Sequence, residues 1–189
     1  MNFLQFQNAK KSTLEKKDKS DIGKYDDKIR KLCEKINKKK EYYTTSSCSG
    51  RIVLILGEDK KKEGLFLYRT HNKVTLGRLK KELESTCKRT KKTIYFKQEP
   101  FILHLCCFNL DSAKRIMNIA QNAGVKQKGI LSLGNKIIIE MKGSEKIELP
   151  ILKNGKMLLN DYYLKILLQE SNKKLERTWK KIQNLSELL

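Results

Sequence analysis

The sequence lacks the two glycine-rich signatures by which many α/β proteins hold nucleotides. No GxGxxG follows an apolar run and no GxxxxGK[ST] occurs, so neither a Rossmann crevice nor a P-loop is signalled, and any cofactor must be held another way. CxxC is missing too. The cysteines, Cys33, Cys48, Cys87, Cys106 and Cys107, are odd in number and irregular in spacing, which disfavours both a disulfide framework and a zinc module. Four of the five are expected to be reduced thiols in or near the core. No apolar run approaches the roughly 20 residues of a membrane span. The opening "MNFLQFQNAKKS" has neither a long apolar stretch nor a small-residue cleavage site, so no export signal is read and the cytoplasm is expected.

Acidic residues are also scarce relative to basic ones. Lys and Arg number 42 against 21 Asp and Glu, a formal charge of +21 over 189 residues. Such an excess repels itself unless a polyanion meets it. The cations are spread along the whole chain, in "KIRKLCEKINKKK", "GRLKKEL" and "KRTKK" among others. That favours a broad positive face and a nucleic-acid partner over a membrane anchor. A lysine-rich background composition is the competing explanation.

What is present reads as one mixed α/β domain over residues 1–189. Phe3, Phe6, Ala9 and Leu14 suggest a short basic helix. Ile29, Leu32, Cys33 and Ile36 follow at i, i+3, i+4 and i+7, predicting a helix over 27–40 with Asp26 or Asp27 as N-cap. "RIVLIL" is a buried strand bounded by Gly57, and "GLFLYRTH" a second. Thr75 caps a helix carrying Leu76, Leu79 and Leu83. "TIYFK" and "FILHLCCF" are strands in different pairings because proline separates them. Asp111 is read as the cap of a helix closed by Gly124. "GILSLGNKIIIEM" is a hairpin with a two-residue turn at Gly134–Asn135, "KIELPI" is a further strand, and a long amphipathic helix ends the chain.

Within this frame one tract stands apart, "TTSSCSGR" at 44–51. Small residues before a buried strand would let backbone N–H groups converge on an anion, with Gly50 permitting close approach. Arg51 would add a planar fork for a carboxylate or phosphate. The competing reading is a serine-rich turn. Cys48 as a phosphatase-type nucleophile fails on spacing, because arginine follows three residues later instead of six. His71 and His104 are the only two histidines, each in or at the end of an apolar strand, where a hydrogen-bonded core imidazole competes with a catalytic one. Asp18, Asp26 and Asp27 are the acidic candidates.

The stretches "DKSDIGKYDDKI", "YYTTSSCSGRIVLI", "YRTH", "EPFILHLCC" and "KIELPI", in this order, resemble the tRNA wybutosine-synthesizing protein 3 family. Thr44, Ser46, Ser47, Cys48, Gly50 and Arg51 match its (S/T)xSSCxGR signature. The resemblance implies a non-Rossmann methyltransferase fold with a long C-terminal helix and S-adenosyl-L-methionine as cofactor, with no metal. It implies N4-methylation of 7-(3-amino-3-carboxypropyl)-4-demethylwyosine at position 37, in the anticodon loop of tRNA-Phe. The implied catalytic groups are Ser46, Ser47, Arg51, Asp26 (with Asp18 the alternative) and His104 (with His71 the alternative). The implied cofactor-binding set is Thr44, Ser46, Ser47, Cys48, Gly50, Arg51 and His71. A non-catalytic basic RNA-binding module is the rival class, and an enzyme acting through Cys48 a third.

Overall fold

A computed structural model describes residues 1–15, 26–57, 64–88 and 90–189. Along the chain come α1 (Phe3–Glu15), α2 (Asp27–Lys38), β1 (Tyr42–Cys48), β2 (Arg51–Leu56), β3 (Phe66–Thr70) and α3 (Leu76–Cys87). They are followed by β4 (Ile94–Glu99), β5 (Ile102–Cys107), α4 (Leu110–Asn122), β6 (Gln127–Leu133) and β7 (Ile137–Lys142). β8 (Ile147–Lys153), β9 (Lys156–Met157) and α5 (Asp161–Glu187) complete the fold. Every strand pairing is antiparallel, so the molecule is mixed α/β without the parallel sheet of a Rossmann protein. No described helix is long and apolar enough to cross a membrane.

The chain forms two compact units, the first comprising residues 1–49, 101–144 and 178–189 and the second 50–100 and 145–177. The first is built on a four-stranded sheet ordered β1-β5-β7-β6. Leu103, Leu105, Ile139 and Met141 project from one face and are fully buried against Ile29, Leu32, Cys33 and Ile36 of α2. The helical spacing read from the sequence is therefore the packed stripe, each such side chain contributing roughly 1.5–3 kcal/mol by leaving water. Ala113, Ile116 and Ala120 of α4 join the same core. At one end of the opposite face, Phe6 of α1 packs on Tyr43 and Cys106, with Phe108 beside them.

The second unit holds a five-stranded sheet ordered β3-β2-β4-β8-β9. Ile52, Val53 and Leu54 of β2 are all fully buried, so both faces of this strand are covered and a continuous apolar run is what it requires. Asn172 of α5 fixes the start of α3, accepting from the Val74 N–H (3.0 Å) and donating to the Val74 carbonyl (2.9 Å).

Several local expectations hold. Thr75 caps α3, Asp26 caps α2 and Gly124 adopts φ 82° after α4. β4 and β5, on either side of Pro100, lie in different sheets. All five cysteines are without disulfides, and Cys33, Cys106 and Cys107 are buried. Three details differ. The cap of α4 is Asn109, in a reciprocal capping box with Ser112 (2.8 and 3.1 Å). Asp111 instead lies in the first turn, where its charge suits the helix N-terminus. The β6–β7 connection has three residues, since Leu133 pairs with Ile137. Finally, the hydroxyl tract is a strand, β1, and not a turn.

Candidate active site

β1 owes its form to its neighbours more than to its own residues. It is an edge strand, paired only with β5, and its register slips between Thr44 and Ser46. That bulge has a consequence for side-chain direction. Thr44 pairs with Leu105, on the core face, so strict alternation would turn Ser46 toward the core as well. The extra residue, Thr45, flips the phase, and Ser46 pairs with His104 on the opposite face.

His104 in turn pairs with Glu140 of β7, and Glu140 with Gly129 of β6. Ser46, His104 and Glu140 thus form a polar row across three adjacent strands. His104 Nε2 lies 2.8 Å from Glu140 Oε2, with the two side chains 26% and 32% exposed. Ser46 and Thr45 are exposed, and neither hydroxyl has a hydrogen-bond partner among the described residues. Cys48 lies on the same face, two residues along the strand, and is half-buried.

Other motif residues serve the scaffold. Thr44 is buried; its N–H donates to Asn37 Oδ1 (2.8 Å) and its hydroxyl accepts from Asn37 Nδ2 (3.0 Å). Ser47 faces α2 and hydrogen-bonds Cys33, whose thiol burial pushes up to about 11. Asp26 caps α2 by accepting from the Lys28 N–H (3.2 Å), and its second oxygen accepts from the Ser49 N–H (3.0 Å) and the Ser49 hydroxyl. The tract expected to form a collar of convergent N–H groups is extended as β1 over its first five residues, 44–48. Its N–H groups at Thr44 and Ser49 are satisfied by side chains, and pairing with β5 takes alternate donors of the strand.

In the second unit, Gly50 takes φ 92°, a conformation that disfavours any residue with a Cβ. Arg51 stands opposite Glu99 across the β2–β4 pair. Its Nε donates to Glu99 Oε2 (2.5 Å), and its guanidinium stacks 4.9 Å from the centre of the Phe66 ring. The Nη groups make no hydrogen bond among the described residues. His71 follows Thr70, which pairs with Ile52, so Arg51 and His71 occupy the same end of the β2–β3 ladder. Asp18 lies outside the described residues.

The sequence reading missed Ser49, Asn37 and Glu140. Ser49 occupies one of the two variable positions of the motif, and Asn37 is an ordinary polar residue near a helix end. Glu140 carried a usable signal: a single acid inside the apolar run "IIIEM", which an antiparallel hairpin places beside the strand holding His104.

Fold and site together define a mixed α/β protein with two antiparallel sheets and a partly exposed, histidine-centred polar row on one sheet face. Residues 7–189 match the family model described as methyltransferase TYW3, and the chain belongs to that family. It is 36% identical over 168 residues to the tRNA(Phe) 7-((3-amino-3-carboxypropyl)-4-demethylwyosine(37)-N(4))-methyltransferase of Archaeoglobus fulgidus, covering 88% of this chain and 83% of the relative. It is 33% identical to the tRNA wybutosine-synthesizing protein 3 homolog of Danio rerio, covering 97% and 74%. Among solved structures, PH1069 protein from Pyrococcus horikoshii superposes with a TM-score of 0.87 at 29% identity, covering 98% of this chain and 94% of that one.

Proposed function

We propose that this protein transfers a methyl group from S-adenosyl-L-methionine to N4 of 7-(3-amino-3-carboxypropyl)-4-demethylwyosine at position 37 of tRNA-Phe, in the cytoplasm. The observation that carries the reading is membership of a methyltransferase family over residues 7–189, combined with the solvent-accessible Ser46–His104 pair on the sheet face. The donor set suits the cofactor's charged end. In the first unit the Thr45 and Ser46 hydroxyls, and in the second unit the Arg51 Nη groups, are uncommitted among the described residues, and each is a donor of the kind a carboxylate requires. When bound, the cofactor supplies an electrophilic methyl, the electrons of the broken C–S bond staying on sulfur.

The protein's own groups then divide the work. Ser46 and Arg51 bind and align carboxylates, from the amino-acid end of the cofactor or from the substrate's aminocarboxypropyl arm. Cys48 lies two residues from Ser46 along β1, while in the second unit Gly50 precedes Arg51 and His71 lies at the same end of the β2–β3 ladder. His104 takes the proton of the attacking nitrogen through the ring nitrogen that does not face Glu140. Asp26 is the weaker base candidate because both its oxygens already accept hydrogen bonds. Its role is to hold Ser49, and with it the turn into Gly50. Thr44 and Ser47 secure β1 against α2.

The tRNA is held through its phosphates. An anticodon loop offers bases that unstack without opening a duplex. The 27–38 and 76–87 helices, together with exposed Lys173, Arg177 and Lys180 of α5, supply the cations. Affinity then falls with salt at a logarithmic slope of about −0.7 per phosphate contact. The test combines calorimetric titration with the cofactor and incubation with hypomodified tRNA-Phe. Cofactor binding with a mass gain of one methyl on the nucleoside is expected. RNA binding without cofactor affinity would replace this reading with the RNA-binding module, and loss of activity on thiol alkylation without any tRNA requirement would favour the Cys48 enzyme.

A further inference from the structure

We propose that Glu140 is a positioning residue for methyl transfer, acting by fixing His104 in the tautomer that carries its proton on Nε2. The inference rests on the proposed role of His104. An ionised carboxylate can only accept hydrogen bonds. With His104 Nε2 2.8 Å from Glu140 Oε2, a neutral imidazole must place its hydrogen on Nε2, which leaves the Nδ1 lone pair free. No described residue bonds to Nδ1. The same contact fixes the ring plane, as a carboxylate does for a histidine in acyl-transfer triads.

Three features make the pair more than a surface ion pair, which would be worth little to stability. It lies in register with the uncommitted Ser46 hydroxyl one strand away. Glu140's neighbour on the far side is Gly129, which has no side chain to compete for the carboxylate; a Cβ built there meets nothing within 4 Å. And the pair is only partly exposed, with the His104 and Glu140 side chains 26% and 32% exposed. When Nδ1 takes the proton of the attacking nitrogen, the N–H bond there breaks and the Nδ1–H bond forms. The positive charge left on the imidazole then sits against the Glu140 carboxylate.

The test uses the full-length protein labelled with ¹⁵N-histidine, whose His104 signals are assigned by their loss in His104→Ala. Long-range ¹H–¹⁵N correlation reads the tautomer directly. The parent should show the Nε2–H form, and Glu140→Gln a mixture. In Glu140→Gln, kcat should fall about tenfold or more while cofactor affinity and the KM for tRNA stay within about threefold. Glu140→Asp should recover part of the loss. An Nδ1–H tautomer in the parent overturns the proposal without any variant. So does parental kcat in Glu140→Gln when His104→Ala is inactive, which leaves the methyltransferase reading of His104 standing. Parental turnover in His104→Ala overturns both.

Discussion

The two strands joined at Ser49–Gly50 are opposites. β1 is a polar edge strand fixed by α2 and β5 through Thr44 and its pairing, with the Thr45 and Ser46 hydroxyls left exposed. β2 is an apolar interior strand, flanked by β3 and β4, with Ile52, Val53 and Leu54 fully buried. β2 specifies itself: a run of β-branched and large aliphatic residues has its lowest free energy where both faces are covered. β1 is specified from outside, by the Asn37 clamp, the Asp26–Ser49 bonds and the bulge. What the contrast teaches is a division of labour. The apolar run 52–54 of β2 stabilises the fold, whereas the uncommitted groups lie beside the junction of the two strands, Thr45 and Ser46 on β1 and Arg51 at the start of β2.

That division can be broken deliberately. The largest stability effect should come from β2: Leu54→Ala removes a fully buried side chain and is expected to cost about 2–5 kcal/mol, read from urea unfolding. Next is Ser49→Ala at the end of β1. It removes a buried hydroxyl donor to the Asp26 carboxylate and should cost about 1.5–3 kcal/mol in the same measurement. A cost near that of an exposed serine would show that the Asp26 clamp contributes nothing.

A smaller effect is expected at alkaline pH. Burial raises the Cys33 thiol from 9.0 to about 11, so the unfolded chain loses this proton first. The stabilisation is complete below the unfolded value and lost as pH climbs through the folded one. Between pH about 9 and about 11 the parent should therefore lose more stability than Cys33→Ala, by denaturation midpoint. Equal losses would mean that Cys33 ionises as readily folded as unfolded. The smallest stability effect belongs to Ser46→Ala, within about 0.5 kcal/mol because the hydroxyl is exposed and unbonded. Its methyl-transfer rate should nevertheless fall. A variant as active as the parent would remove Ser46 from the site.

The same contrast explains how far the sequence could be read. Wherever burial sets the pattern, the pattern is visible: the α2 stripe, β2, the alternation of β4 and the long amphipathic α5 all follow from apolar spacing. β1 was invisible as a strand because its residues are small and polar, and its pairing with β5 depends on partners about sixty positions away. The motif residues were legible as a set. Their division into uncommitted groups (Ser46, Arg51) and structural ones (Thr44, Ser47, Asp26) was not, because hydrogen-bond commitments are tertiary facts. Glu140 became meaningful only when the hairpin register placed it against His104.

The central claim is that the face of β1 and β5 bearing Ser46 and His104 performs methyl transfer, with His104 as proton acceptor. Its most direct measurement is single-turnover transfer of labelled methyl from S-adenosylmethionine to hypomodified tRNA-Phe, comparing the parent with His104→Ala at matched, calorimetrically verified cofactor occupancy. The account predicts one methyl gained on the modified guanosine by the parent, and a rate lower by about a hundredfold in the variant. A parent that transfers nothing, or a variant that keeps pace with it, would contradict the account.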